Sequence, residues 1–215
     1  MSQKEAPVSD HDAFEKLPAE RQERVIAAGV EAFGRNGYQH ARTQDIASRC
    51  GISKGLLFFY FRNKCDFYFY LLDTVREKMV ESIIGEEYWQ IDDYFDVMLY
   101  CADARMDVFD RYPYLIEFSI RAFYSEHRDV STVAGRWMYN QVDELLERYF
   151  HHVHADRFRD EVSMRDATDL LIWLGDGYMH QQRSLGRAIR LDEMMVQFRG
   201  WCAMVKQWAY KPEFL

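Results

Sequence analysis

Apolar residues recur every third or fourth position through most of this chain, the spacing of helices that bury one face. From Pro18, a residue suited to the first turn of a helix, Val25, Ala28, Ala32 and Phe33 fall along one side until Gly37 offers a C-terminal stop. Two short helices follow. Thr43 stands where an N-cap would accept a hydrogen bond from an orphan N–H, and Ile46 and Ala47 begin a buried side. Gly51 tolerates positive φ, Ser53 offers a second cap, and Leu56, Leu57 and Phe61 supply apolar contacts. Asn63 and Asp66 have capping-box spacing, and Phe67, Leu71, Leu72, Val75 and Met79 continue at helical intervals into a longer helix.

Further helices are expected at roughly 93–110, 113–126, 129–152, 164–185 and 191–209. Asp92 or Asp93, Pro113 and the Ser163–Asp166 pair supply starts for three of them. No β-alternation and no internal repeat competes, so the expected fold class is all-α. Residues 1–17 lack sustained periodicity and are expected to form a flexible arm, residues 18–64 a three-helix domain, and residues 65–215 a larger helical body.

Two short capped helices across a glycine turn make a helix-turn-helix, whose second helix can enter a DNA major groove. The order of glycines, caps and aromatics in AFGRNGYQHARTQDIASRCGISKGLLFFYFRNK resembles the N-terminal DNA-binding domain of the TetR family of transcriptional regulators. The resemblance is dense from Arg24 to Lys64; the rest is similar only as an all-helical ligand-binding and dimerisation domain of suitable length. It implies that Ser53 and Lys54 sit near base edges or phosphate, and that Gly55 allows close backbone approach. It also implies phosphate contacts from Tyr60 and Lys64, and Thr43 can donate a hydrogen bond to phosphate from the first helix of the motif. Phe58 and Phe59 depart from the pattern: the family usually has Tyr at the first place and often His or Tyr at the second. Phe58 is read as supporting packing and Phe59 as an exposed apolar base contact.

Charge sharpens this division. The chain carries −8 overall, yet residues 19–64 hold eight Lys or Arg against four acids, a local +4 that leaves −12 elsewhere. A basic reader on an acidic body approaches phosphate with one end and repels it with the other. The N-terminus lacks the apolar core of a signal peptide, and no apolar run is long enough to cross a membrane, so a cytoplasmic protein is expected. Cys50, Cys65, Cys101 and Cys202 are widely spaced and read as buried thiols, not as a metal or disulfide framework.

The body is rich in aromatics and methionine, most of which a core explains. Aromatics crossing between helices can also bound an apolar cavity, with interspersed acids able to meet a cationic group. The expected effector is therefore a small apolar or aromatic molecule, with a cationic one included. The candidate residues are Tyr100, Asp103, Asp107, Phe118, Phe123, Trp137, Trp173, Asp176 and Tyr178. Leu170, Leu174, Phe198, Trp201 and Val205 lie on long apolar faces of the last two helices, which the resemblance pairs with the same helices of a second chain. His151, His152 and His154 beside Asp156 are crowded without a completing ligand, so that segment is read as a solvated connection and no metal is expected.

These features, with the resemblance, point to a ligand-responsive repressor that binds a palindromic operator in double-stranded DNA as a homodimer. A helical protein-interaction regulator without a small-molecule ligand is the alternative. An enzyme is disfavoured by the lack of HExxH, GxSxG, P-loop and dinucleotide motifs, and no cofactor is expected.

Overall fold

The computed structural model describes residues 11–111, 113–123, 127, 130 and 142–215, with side chains at all of these except 107–111, 113, 116 and 123. The regular elements of the described residues are all helices, and an isolated β-bridge joins Phe158 to Tyr210. The chain divides into two compact units, Met1–Met79 with Phe109–Arg136 and Val80–Val108 with Trp137–Leu215.

The N-terminal unit contains α1 (His11–Glu15), α2 (Ala19–His40), α3 (Thr43–Arg49), α4 (Lys54–Tyr60), most of α5 (Lys64–Ile83), and α7 (Pro113–Phe123) after α6 (Tyr94–Arg111). Its core is aromatic. Tyr68 meets Phe33, Tyr38 and Phe118 edge-on at centroid distances of 4.9, 5.2 and 5.1 Å, an arrangement that sets positive ring edges against negative faces. The expected stop at Gly37 is a break with φ +69° near the end of α2. Pro113 does begin α7, as its position predicts.

α7 packs along α2, and Gly34 faces the α7 backbone. A Cβ built there would stand 2.7 Å from the Tyr114 carbonyl oxygen, an atom that cannot move without the helix. Gly34→Ala should therefore lower unfolding stability by about 1–3 kcal/mol, outweighing the better helix propensity of alanine. Urea denaturation checks this: an unchanged or higher midpoint would mean that the two helices separate freely.

Residues 11–17 are not part of a flexible arm. Phe14 is fully buried, packed against Phe61 at 4.9 Å, Tyr70 at 5.5 Å and Tyr60 at 5.6 Å. Gln22 Nε2 donates to the carbonyls of Glu15 and Leu17 at 2.8 Å, and His11 reaches Asp66 at 3.3 Å. A five-residue helix is too short to show periodicity, and one large anchor holds it.

The C-terminal unit holds most of α6, a helical run at 142–149 (α8), α9 (Met164–Ser184) and α10 (Leu191–Ala209). Tyr88, Tyr94, Phe95, Phe150, Phe158, Leu171, Val205 and Tyr210 form its core. The capping box before α9 is complete: Ser163 Oγ accepts from Asp166 N–H, and the Asp166 carboxylate accepts from Ser163 N–H. The histidine segment is anchored and not simply solvated. Phe158 and Val153 are buried, Arg159 N–H donates to Ala209 O at 2.8 Å, and His154 lies near Asp92 and Asp156. Of the helix expected at 129–152, residues 129 and 131–141 lie outside the described residues.

The buried end of α6 is held by Asp93. Its Oδ1 accepts from the N–H groups of Phe95 and Asp96 at 2.9 and 3.2 Å, which caps the helix. Its Oδ2 receives Lys206 Nζ at 3.0 Å and Arg157 Nη1 at 3.2 Å. One carboxylate thus ties α6, the 3-10 turn Ala155–Arg157 and α10 together.

The thiols of Cys50, Cys101 and Cys202 are buried and free, and burial pushes all three up in pKa, Cys202 to about 12. Cys65 is half-buried. Among the described residues, no helix is long and apolar enough to cross a membrane, and no cluster of three His, Cys, Asp or Glu could hold a metal ion.

Candidate nucleic-acid interface

α3 and α4 each run for seven residues and are joined by a tight turn in which Gly51 takes φ +69°. A side chain there would be strained whatever the surrounding space. Gly51 N–H donates to Ser48 O at 3.2 Å and Ile52 N–H to Ala47 O at 3.0 Å, which closes the end of α3. Ile46 and Ala47 of α3 and Leu57 and Phe61 around α4 are almost completely buried, so the pair is fixed to the unit by its inner faces.

Ser53 caps α4 as its position predicts, with Oγ accepting from Leu56 N–H at 3.0 Å. Ser53→Ala should cost about 1 kcal/mol and loosen the start of α4. Faster amide hydrogen exchange at Leu56 would report that loss, and unchanged exchange would count against the cap. Thr43 does not cap α3. Arg42 occupies the N-cap position without a side-chain hydrogen bond, and Thr43 is the first helical residue, half-buried. At the start of α5, Asn63 Oδ1 accepts from Asp66 N–H, but Asp66 Oδ2 returns to Arg62 N–H instead of Asn63.

The outer face carries Ser53, Lys54, Gly55, Leu56 and Phe59, all exposed. Phe59 is 56% exposed, matching its reading as an outward ring, while Phe58 is half-buried with Lys54 Nζ 5.6 Å from its centroid. Tyr60 is only 7% exposed and packs against Phe14, which leaves little of it to meet a phosphate. Lys64 is half-buried: its ammonium donates to Gln39 O at 3.2 Å and lies 4.8 Å from the Tyr38 ring centroid. Desolvation lowers its pKa, and its contacts tie α5 to the end of α2. Arg42, Gln44, Arg49 and Arg62 are exposed around the motif, with Arg49 sharing Glu31 with Arg35 at 3.1 Å each.

Leu56 also differs from its expected packing role. It is 37% exposed while Leu57 is 1% exposed, and seven residues are too few for periodicity to separate adjacent leucines.

The effector candidates are divided between the two units. Phe118 is fully buried in the N-terminal unit and touches Phe33 and Tyr68. Within the C-terminal unit, Tyr100 donates to Ile83 O at 3.4 Å, exposed Asp103 pairs with Arg199, and Trp173 is 67% exposed. Asp176 is exposed, whereas Tyr178 packs on Trp201 and borders an open groove of about 720 Å³ with Gln182, Arg187, Arg190 and Val196. Trp137 and the side chains of Asp107 and Phe123 lie outside the described residues.

The apolar faces of α9 and α10 also divide differently from expectation. Val205 is buried in the core, and Leu170, Leu174, Phe198 and Trp201 pack partly against it. Exposed instead are Trp173 on α9 and Val196, Met204 and Trp208 on α10, at 67, 67, 55 and 48%. Val196, Gly200, Met204 and Trp208 follow one another at every fourth position, which makes a continuous outer row.

A glycine turn, a capped second helix and an exposed basic surround define a helix-turn-helix DNA-binding protein. Residues 25–71 match the family model of the bacterial regulatory proteins of the tetR family. Residues 25–71 thus form a DNA-binding domain of the tetR kind, on a chain whose fold is that of solved TetR-family regulators.

Two Bacillus subtilis (strain 168) proteins are similar to part of the chain. The uncharacterized HTH-type transcriptional regulator YerO is 30% identical over 74 residues, covering 31% of this chain and 26% of that protein. The fatty acid metabolism regulator protein is 35% identical over 60 residues, covering 28% and 29%. The chain thus matches less than a third of either relative's length. Three solved structures share the fold. SmeT, the repressor of the Stenotrophomonas maltophilia multidrug efflux pump SmeDEF, has TM-score 0.64 at 14% identity, covering 94% of this chain and 95% of that one. The fatty acid degradation regulator FadR of Bacillus halodurans has TM-score 0.59 at 18% identity, covering 84% and 96%. A TetR-like regulator from Rhodococcus sp. RHA1 has TM-score 0.56 at 16% identity, covering 87% and 96%.

Proposed function

We propose that this chain is a cytoplasmic, ligand-responsive repressor that binds a palindromic operator as a homodimer. The observation that carries the reading is the outer face of α4, which presents Lys54, Gly55, Leu56 and Phe59 from a basic N-terminal domain. Such a helix fits a major groove, while the acidic remainder discourages any other approach to DNA. Repression follows the named role of SmeT, whose fold this chain shares.

The α10 row of Val196, Met204 and Trp208, with exposed Trp173 on α9, supports dimerisation. Monomers rarely leave contiguous apolar area of this kind in water, and a two-fold pairing covers the same patch on both chains. Two-fold symmetry in turn calls for inverted half-sites. Selection from a random duplex library by the purified chain tests the reading. Enrichment of an inverted repeat with half-sites about one helical turn apart is expected; a library that remains random at low salt contradicts it.

For the effector, we propose a small apolar or aromatic molecule, cationic ones included. Support comes from the aromatic content of the body; the open groove of about 720 Å³ beside Tyr178, bordered by Arg187 and Arg190, is of ligand-site size and suits a neutral molecule better than a cation. The ligand must bind the DNA-releasing conformation more tightly than the DNA-bound one, since only differential affinity shifts the balance. Calorimetry with a panel of cationic and neutral amphiphiles should give saturable binding that weakens operator affinity. Saturable binding without any change in operator affinity would favour a body that senses nothing.

A further inference from the structure

α4 has an unusual composition for a helix that reads DNA. Its seven residues, KGLLFFY, include no Asn, Gln, Arg, His, Asp or Glu. Bidentate hydrogen bonding to guanine or adenine edges, and acceptance from cytosine, depend on those types and on lysine. Lys54 is exposed, while Tyr60, the other residue with a polar side-chain atom, is 7% exposed. What α4 offers outward beside Lys54 and Gly55 is apolar: Leu56 at 37% and Phe59 at 56% exposure.

Leu56 and Phe59 are three residues apart, so they are neighbours on one helical face. A single exposed hydrophobic side chain needs no explanation, but two adjoining ones at the outer face of the reader leave water only if something apolar meets them. In a major groove, the apolar group on a base edge is the C5-methyl of thymine. Exposed Arg42, Lys54 and Arg62 around this patch favour a polyanion over an apolar protein partner.

Building on the DNA-binding reading above, we propose that this chain recognises its half-site through thymine methyl groups packed against Phe59 and Leu56. Lys54 supplies the one hydrogen-bonding side chain on α4 available to a guanine edge or a phosphate. Sequence preference then comes from the shape and apolarity of the groove wall more than from paired hydrogen bonds.

Replacing thymine by deoxyuridine removes the methyl and leaves every hydrogen-bonding group in place. The probe is the duplex enriched from the random library, with each half-site thymine replaced in turn and affinity measured with the full chain. At contacted positions, a loss of about fourfold per methyl is expected, the value of burying one such group. Phe59→Ala should weaken the thymine duplex and remove its advantage over the deoxyuridine duplex, whereas Phe59→Leu should keep part of it. Circular dichroism confirms that these variants fold, as the exposure of residue 59 leads one to expect.

An enriched duplex that is insensitive to deoxyuridine at every position would overturn methyl readout while leaving DNA binding intact. Wild-type DNA affinity in Phe59→Ala would also overturn it and would assign the patch to a protein partner. A library with no enriched duplex would overturn the DNA-binding reading and this one with it.

Discussion

Asp93→Ala should destabilise the C-terminal unit by about 3–5 kcal/mol, the cost of removing one partner from a buried ionic network. Asp93 is 6% exposed, and its loss strips Lys206 and Arg157 of a common anion while leaving the Phe95 and Asp96 N–H groups of α6 uncapped. Neither cation can be rehydrated fully, since their side chains are only 28 and 21% exposed. Asp93→Asn should cost less because an amide oxygen still caps the helix.

The same site sets a pH dependence. Burial acts to raise the Asp93 pKa, but the hydrogen bond and charge of Lys206, with the N–H groups of Asp96 and Phe95, outweigh it and hold the carboxyl below its ordinary value. The folded pKa is therefore lower than that of the unfolded chain, near 4 by the usual carboxylate value of about 3.9. Its stabilising contribution is complete above that pH and is lost as pH falls through the folded pKa. Urea denaturation at neutral pH and along an acid series checks both statements. An Asp93→Ala midpoint equal to that of the parent chain would show that Asp93 holds nothing together.

Trp173→Glu should turn a dimer into a monomer and abolish high-affinity operator binding. Because the proposed interface is isologous, each substitution occurs twice in it, and losing a central tryptophan costs about 2–4 kcal/mol per site. A weakening of dimerisation by at least about a thousandfold follows from the two copies together. Trp173 is 67% exposed, so the chain itself should fold normally. Val205→Glu is the contrast, since Val205 is 1% exposed and a buried charge there should unfold the unit instead. Sedimentation at micromolar concentration separates the cases. A Trp173→Glu chain that still sediments as the parent does would remove the α9–α10 patch as the interface.

Much of the molecule was legible because its signals are local. Ser53, Gly51, Pro113 and the Ser163–Asp166 box act within a turn of where they stand, and each takes the position that its chemistry predicts. What sequence did not disclose depends on distant partners. Phe14 looks like part of a polar tail until Phe61, Tyr70 and Tyr60 surround it. Lys64 reads as a phosphate ligand until Gln39 O and Tyr38 take its ammonium. The choice of outward residues on α9 and α10 is of the same kind: Val205 and Met204 are adjacent and both apolar, so residue type alone does not say which one meets the core.

The central claim is that two α4 helices, held by one dimer, read two inverted half-sites together. It is tested most directly by measuring the affinity of the full chain for its enriched duplex, with and without an insertion of about five base pairs, half a helical turn, between the half-sites. The insertion carries one half-site to the opposite face of the duplex, so affinity should fall to that of a single half-site. Equal affinity for the two duplexes would contradict the account.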